Sequence, residues 1–316
     1  MDTVIVFVIF FIGLLTIVKG GDLFVDAAIW MAKKTGIPSM VIGATIVSIA
    51  TTLPEFFVST VASNEGHSDI AIGNVIGSII CNIAFVIGLC SCIKPIKIKK
   101  GLFNVKGFMM IGYLIIFYIF ARNGIVTFKE GFILLALFLF FIIINILEFK
   151  VRGENTEKIK KESVHSKKDI ILNIVKFILG AWFIVIGAHM LVDSGVKIAR
   201  IFKIPQQVVS LTLLAVGTSL PELVTSVAAV IKDEENISVG NIIGANILNL
   251  TIVLGSSALV SDNGLFISDQ TLYLDIPIAL LVMTIFVFSG AIKKEIDRKS
   301  GLLFLTIYIV YLIILF

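Results

Sequence analysis

The chain has 316 residues, of which 58% are hydrophobic and 15% charged, with a mean hydropathy of +1.05. A soluble domain is about 45–50% apolar and about 25% charged, so a water-facing globule is excluded and a bilayer must take up the excess. The net charge of +4 implies no nucleic acid, because the basic residues fall in short loops where lipid headgroups meet them.

Apolar runs of about 20 residues are the length that crosses a bilayer as helix. In chain order they predict ten spans, near 4–31, 38–63, 69–93, 104–121, 129–149, 169–199, 205–231, 236–261, 270–291 and 301–316. Met1-Asp2-Thr3 carries no basic stretch and no small-residue cleavage site follows, so the first run reads as a retained span. The first and sixth runs are long enough to tilt or bend. Cys81, Cys90 and Cys92 lie together in the third run without the further Cys or His that a soft-metal site needs, and read as small packing residues. Lys150 to Lys168 is the one extended polar stretch, a linker between a first unit over 1–149 and a second over 169–316.

Lys and Arg distribution sets the orientation. Nineteen fall in odd-numbered loops, including Lys33, Lys34, Lys94, Lys97, Lys106, the 150–168 linker, Lys232 and Lys293, against five in even loops. The linker is therefore expected to be cytoplasmic and both termini extracellular.

A shift of 167 residues lays the chain on itself. ATTLPE at 50–55 falls on GTSLPE at 217–222, and GNVIGSIICN at 73–82 falls on GNIIGANILN at 240–249. Pro38, Ser59, Gly88 and Asp26 meet Pro205, Ser226, Gly255 and Asp193. Each copy holds five spans, an odd number, so the second must enter the membrane from the opposite side. The expected fold is all-α, with two inverted five-helix repeats about an axis in the membrane plane, a recurring design of secondary transporters.

Glu55 and Glu222 carry the chemistry. A carboxylate at mid-membrane costs at least about 2.5–3.5 kcal/mol on insertion scales, and the second, third, seventh and eighth spans contain no Lys or Arg to offset it. Pro54 and Pro221 precede them and cannot donate to the carbonyls of Ala50 and Gly217, which frees backbone oxygens where a cavity can use them. Thr51, Thr52, Thr218 and Ser219 add hydroxyls to the same turns. Asn74, Ser78 and Asn82, four apart, share a helical face, and the paired glycines of each GNxxG motif permit close helix approach. The donors are all oxygen, which selects a hard cation; a flexible multi-oxygen shell suits Ca2+ better than Mg2+. An intramembrane enzyme using the two acids would need a Ser–His pair, paired aspartates or a zinc motif beside them. None is present, so no catalytic residue and no cofactor is expected.

At these motifs the sequence resembles the Ca2+/cation antiporter superfamily, in particular the prokaryotic sodium/calcium exchangers. The resemblance implies a cell-membrane antiporter exchanging Ca2+ for Na+ by alternating access, with H+/Ca2+ exchange as the alternative within the superfamily. It implies that Glu55 and Glu222 bind Ca2+ with the backbone carbonyls of Thr51 and Thr218. Flanking Na+ sites would use Thr52, Ser78, Ser219 and the carbonyls of Ser48 and Ala215, with Asn82 and Asn249 lining the middle. The first and sixth helices would slide across a rigid core. Three positions depart from the pattern: Ala50 stands for glycine, Ala245 lacks a hydroxyl, and Asn249 is Asp in several sodium-coupled members. Beyond the two ions and the bilayer, no protein partner is implied.

Overall fold

The computed structural model describes residues 3–98, 101–153, 167–201 and 217–315, and within them the chain is helical apart from four two-residue strands. The helices are α1 (Thr3–Thr35), α2 (Ser39–Thr51), α3 (Leu53–Asn64), α4 (Ser68–Ile93), α5 (Leu102–Ala121), α6 (Phe128–Gly153), α7 (Lys167–Ile201), α8 (Leu220–Ile231), α9 (Glu235–Val260), α10 (Thr271–Lys293) and α11 (Arg298–Leu315). Eight are long and apolar enough to cross a membrane, and the bent pair α2–α3 makes nine. α8, with 12 residues, is the visible part of the expected seventh span, whose earlier half lies outside the described residues. α6 and α7 reach Gly153 and Lys167, a few residues into the stretch expected to be linker.

Burial separates a core from a lipid-facing shell. The most apolar stretch of α9 is 94% buried and that of α4 72%, against 17% for α7 and 22% for α6. Side chains such as Phe11, Phe57, Leu139, Ile171 and Trp182 point outward, as a protein solvated by hydrocarbon requires. The buried α4 and α9 are the two helices that carry the GNxxG motifs.

Close crossings fix this arrangement. α1 and α7 run antiparallel along each other, and a Cβ on Gly20 would lie 2.9 Å from the Gly180 carbonyl, just as one on Gly180 would lie 2.9 Å from that of Gly20. α2 crosses α9 backbone to backbone at Gly43 and Gly240. The strands tie loops together: β1 (Ile96–Lys97) pairs antiparallel with β4 (Glu295–Ile296), and β2 (Ile125–Val126) with β3 (Leu265–Phe266).

Ion pairs add to these ties. Lys94 pairs with Asp233 and with Glu235 at 2.8 Å. Lys94 holds the Asp233 carboxyl below its usual range, and the two acids hold the Lys94 ammonium above its own, so the tie stays charged through neutral pH. Asp233 needs some such reward, because its φ of 59° is a left-handed backbone that glycine adopts freely; the position 167 earlier is Gly66, with φ 82°. Lys232 reaches Asp26 at 2.8 Å and Asp22 at 3.4 Å, anchoring α1 to the end of α8.

One expectation about placement needs correction. Lys106, read as a loop residue, is inside α5 with none of its surface exposed, bonded to Asn145 and to Glu148 at 3.0 Å. Its apolar neighbours continue the helix past the charge, and the polar partners come from α6. Asp275 is 5% exposed and accepts a hydrogen bond from the Tyr311 hydroxyl at 2.9 Å. For Lys106 the expected result is that Glu148→Leu alone lowers stability by about 3–5 kcal/mol, whereas Lys106→Met/Glu148→Leu restores it, since an unpaired buried charge costs more than a missing pair. Thermal unfolding in detergent reads both.

Candidate cation site

The site begins with two helix breaks of the same shape. Helix α2 stops at Thr51 and α3 starts at Leu53, with a bend of 47° between them. Thr52 has φ −84° and ψ −1°; Ser219, its counterpart before α8, has φ −87° and ψ 3°. Both values lie at the edge of the helical region, and a proline two residues later removes the donor that would have closed the turn. Across the breaks the ladder resumes with Phe56 N–H to Thr52 O at 3.0 Å and Leu223 N–H to Ser219 O at 3.0 Å. Glu55 and Glu222 therefore each stand in the first turn of a new helix.

Both glutamates are fully buried. Glu222 is the charged group that faces Glu55, Ser78 stands beside Glu55, and Thr51 and Thr52 stand beside Glu222. None of the four carboxylate oxygens accepts a hydrogen bond with good geometry from the described residues. Two buried acids held close together without a counter-charge are strongly unfavourable as bare anions, so the pair can take up cations or protons. Among the described residues no three His, Cys, Asp or Glu cluster as metal ligands, so a cation held by the two acids would take its other ligands from neutral oxygens.

Neutral oxygens of the same motifs are buried with the acids. Ser48, Thr51, Thr52, Ser78, Asn82, Thr218, Ser219 and Asn249 are all buried. Ser219 Oγ donates to Ser78 Oγ at 3.3 Å, and Ser78 and Thr218 hydroxyls lie 3.5 Å apart. Thr52 Oγ1, Asn82 Oδ1 and both polar atoms of Asn249 have no hydrogen-bond partner among the described residues. Ala215 lies outside the described residues. The helices widen where they line this region: π turns run over Cys81–Ile87 in α4 and over Asn249–Val253 in α9. Such turns insert an extra residue and recur at functional sites, and the equivalent residues Asn82 and Asn249 fall in them.

Asn74 and Asn241 go beyond the expected face-sharing role. Thr51 Oγ1 donates to Asn241 Oδ1 at 3.1 Å, and Thr218 Oγ1 donates to Asn74 Oδ1 at 3.1 Å. These are the same bond, exchanged between residues 167 apart. Asn74 also donates to Ser59 Oγ at 3.0 Å and to the Glu55 carbonyl at 3.3 Å, and Asn241 to Thr225 Oγ1 at 3.1 Å. Each asparagine thus pins a break contributed by the other half. Their presence in both GN motifs was a signal; the pairing across halves was not readable. Asn246, on α9, bonds Asn82 at 3.0 Å and has no polar counterpart in the first half. Cys81, read as a packing residue, is buried, with Tyr308, Ser219 and the two glutamates near its thiol.

A family model described as sodium/calcium exchanger protein matches residues 5–147 and 172–316. The chain belongs to the sodium/calcium exchanger family. It is 32% identical to the sodium/calcium exchanger MaX1 of Methanosarcina acetivorans, covering 98% of both chains. It is 33% identical to the inner membrane protein YrbG of Escherichia coli, covering 96% of this chain and 95% of that one. A solved structure of the sodium-calcium exchanger NCX_Mj, soaked with zero Na+ and Ca2+, superposes with a TM-score of 0.85 at 30% identity over 100% of both chains. The protein is thus an all-helical, multi-pass membrane cation/Ca2+ exchanger, and its relatives are transporters rather than enzymes.

Proposed function

We propose that this exchanger moves Ca2+ across the cell membrane against Na+, with Glu55 and Glu222 as the carboxylates that hold Ca2+ between them. One observation carries the reading: two fully buried carboxyls lie close together, none of their oxygens accepting a hydrogen bond of good geometry among the described residues, with the hydroxyls of Ser78, Thr51 and Thr52 beside them. Two ionised carboxylates balance one divalent cation, and oxygen ligands in a flexible shell suit Ca2+. Carbonyls of Thr51 and Thr218 complete the central shell. Thr52, Ser78, Ser219, Ser48 and Ala215 supply flanking Na+ ligands, and Asn82 and Asn249 line the centre. Na+ entering those overlapping positions competes for the same acids and releases Ca2+. That MaX1 and NCX_Mj are named as sodium/calcium exchangers supports sodium as the driving ion.

The halves, 1–149 and 169–316 about the 150–168 linker, act as inverted repeats. The exchanged Thr–Asn bonds, and the Gly20–Gly180 crossing repeated by its equivalents Gly187 and Gly13, are what a pseudo-two-fold axis produces. The strand pairings support ten crossings. β2 and β3 are paired and so share a membrane face, which requires an even number of crossings between them. α6, α7 and α9 supply three, and the stretch between α7 and α9 that includes α8 supplies the fourth. Among the described residues, ion pairs that join separate loops or span ends, such as Lys94 with Glu235, Lys232 with Asp26 and Lys106 with Glu148, connect positions assigned to the cytoplasmic face. Alternating access follows when α1 and α7 slide together across the buried α4–α9 core. Both termini are then extracellular and the linker cytoplasmic.

Proton exchange is the second reading, favoured by one feature: Asn249 places a neutral amide where several sodium-coupled relatives of this superfamily carry an acid. Reconstituted vesicles loaded with Na+ and diluted into Na+-free medium without a pH gradient are expected to take up Ca2+. Uptake that appears only under an imposed pH gradient would transfer the assignment to H+.

A further inference from the structure

We infer that Asn246 is a positioning residue for cation binding: it locks the Asn82 carboxamide so that oxygen, not NH2, is offered to the cation. The inference rests on the Ca2+-binding reading of the site. A carboxamide has a donor end and an acceptor end. Only the acceptor end can ligate a cation, and the donor end repels it. Asn82 Nδ2 donates to Asn246 Oδ1 at 3.0 Å, while Asn82 Oδ1 is buried without a protein donor. Asn246 itself is fully buried on α9, its own NH2 resting 3.6 Å from the Met110 sulfur. Rotating the Asn82 amide by half a turn would set two carbonyl oxygens against each other and bury an NH2 without an acceptor, a change that costs about 1–3 kcal/mol. The orientation is therefore held before any ion arrives.

The repeat shows that this is a feature of one half alone. The residue equivalent to Asn246 is Ile79, also fully buried and unable to accept a bond. Asn249, the counterpart of Asn82, has neither amide end bonded among the described residues. Of the two central asparagines, one is preset as an oxygen ligand and the other must be turned by the ion it meets. Preset ligands carry less ordering cost on binding, so Asn82 contributes more to Ca2+ affinity than Asn249 does.

Groups that orient metal ligands from behind typically alter affinity about 10–100-fold when removed. Asn246→Ile, which copies the first half, and Asn246→Ala are expected to raise the Ca2+ half-saturation of flux by about tenfold. Maximal rate changes less. Calorimetric Ca2+ binding to purified protein is expected to weaken by the same factor. In an Asn82→Asp background both ends of the side chain are oxygens, orientation no longer matters, and Asn246→Ile is expected to change half-saturation less than about twofold. Equal effects of Asn246→Ile in both backgrounds, or unchanged half-saturation with either Asn246 variant, overturn the role. Wild-type protein that binds no Ca2+ overturns the functional reading itself, a different result.

Discussion

Replacing Glu222 by Gln is expected to cut Na+-driven Ca2+ flux by at least about 100-fold, and Glu55→Gln to do the same. Glutamine keeps the shape and one oxygen but removes the charge that balances half of a divalent ion. Stranding an ion beside a single carboxylate in a buried site costs about 3–5 kcal/mol, by analogy with breaking a buried ion pair, which is about a hundred- to several-thousandfold in affinity. Stability should move the other way. With no ion present, the wild type buries two neighbouring acids without a basic partner among the described residues, so replacing one removes no ion pair. Each variant is expected to melt in ion-free buffer no lower than wild type. Ca2+ at 100 times its dissociation constant stabilises a one-site protein by about 2.7 kcal/mol, and that increment is expected in the wild type and absent in both variants. A glutamine variant that kept flux within tenfold of wild type would remove the acids from the ion path. One that unfolded without ions would show that they serve the fold instead.

The parts legible in the sequence are those in which one residue type forces one environment. Glu55 and Glu222 sit in apolar runs without a basic partner, so their facing each other in the core follows from cost alone. Pro54 and Pro221 lack a donor, and the breaks at Thr52 and Ser219 follow from that. The repeat was legible because it preserves spacing. What escaped depends on neighbours from distant segments. Nothing local distinguishes Lys106 from the lysines of the preceding loop; Asn145 and Glu148 from another helix decide its burial. Asp275 precedes a proline near a span edge, and only Tyr311 of the last helix shows that it is enclosed. The cross-half bonds of Thr51 and Thr218 needed the two halves docked. Asn246 was legible only as a departure from the repeat, opposite Ile79, and its meaning required Asn82 beside it.

Docking of the halves rests on contacts as tight as any in the molecule, which makes Gly240→Ala the second large effect. A Cβ there would lie 2.4 Å from the Met40 carbonyl oxygen and 3.0 Å from the Ala44 nitrogen; one on Gly43 would lie 2.4 Å from the Ile237 carbonyl oxygen. The obstacles are backbone atoms, so no side chain can rotate away and α2 must move off α9. Overpacking of this kind costs about 1–3 kcal/mol. The displacement is not confined to packing. Asn241, next in sequence, accepts the Thr51 hydroxyl at 3.1 Å, and Ser48 and Thr51 lie one and two turns further along the displaced helix. Gly240→Ala is therefore expected to lower the melting temperature and reduce Ca2+ flux by more than about tenfold, a coupling of about 1.4 kcal/mol into the site. Gly112→Ala on α5 is the control: its Cβ meets nothing within 4 Å, and helix propensity favours the alanine by about 0.5–1 kcal/mol. Gly43→Ala/Gly240→Ala should cost less than the sum of the single changes, because the first methyl already separates the two backbones that the second would press apart. A Gly240→Ala protein that melted early yet exchanged ions at the wild-type rate would mean that the crossing holds the bundle together without setting the ligands.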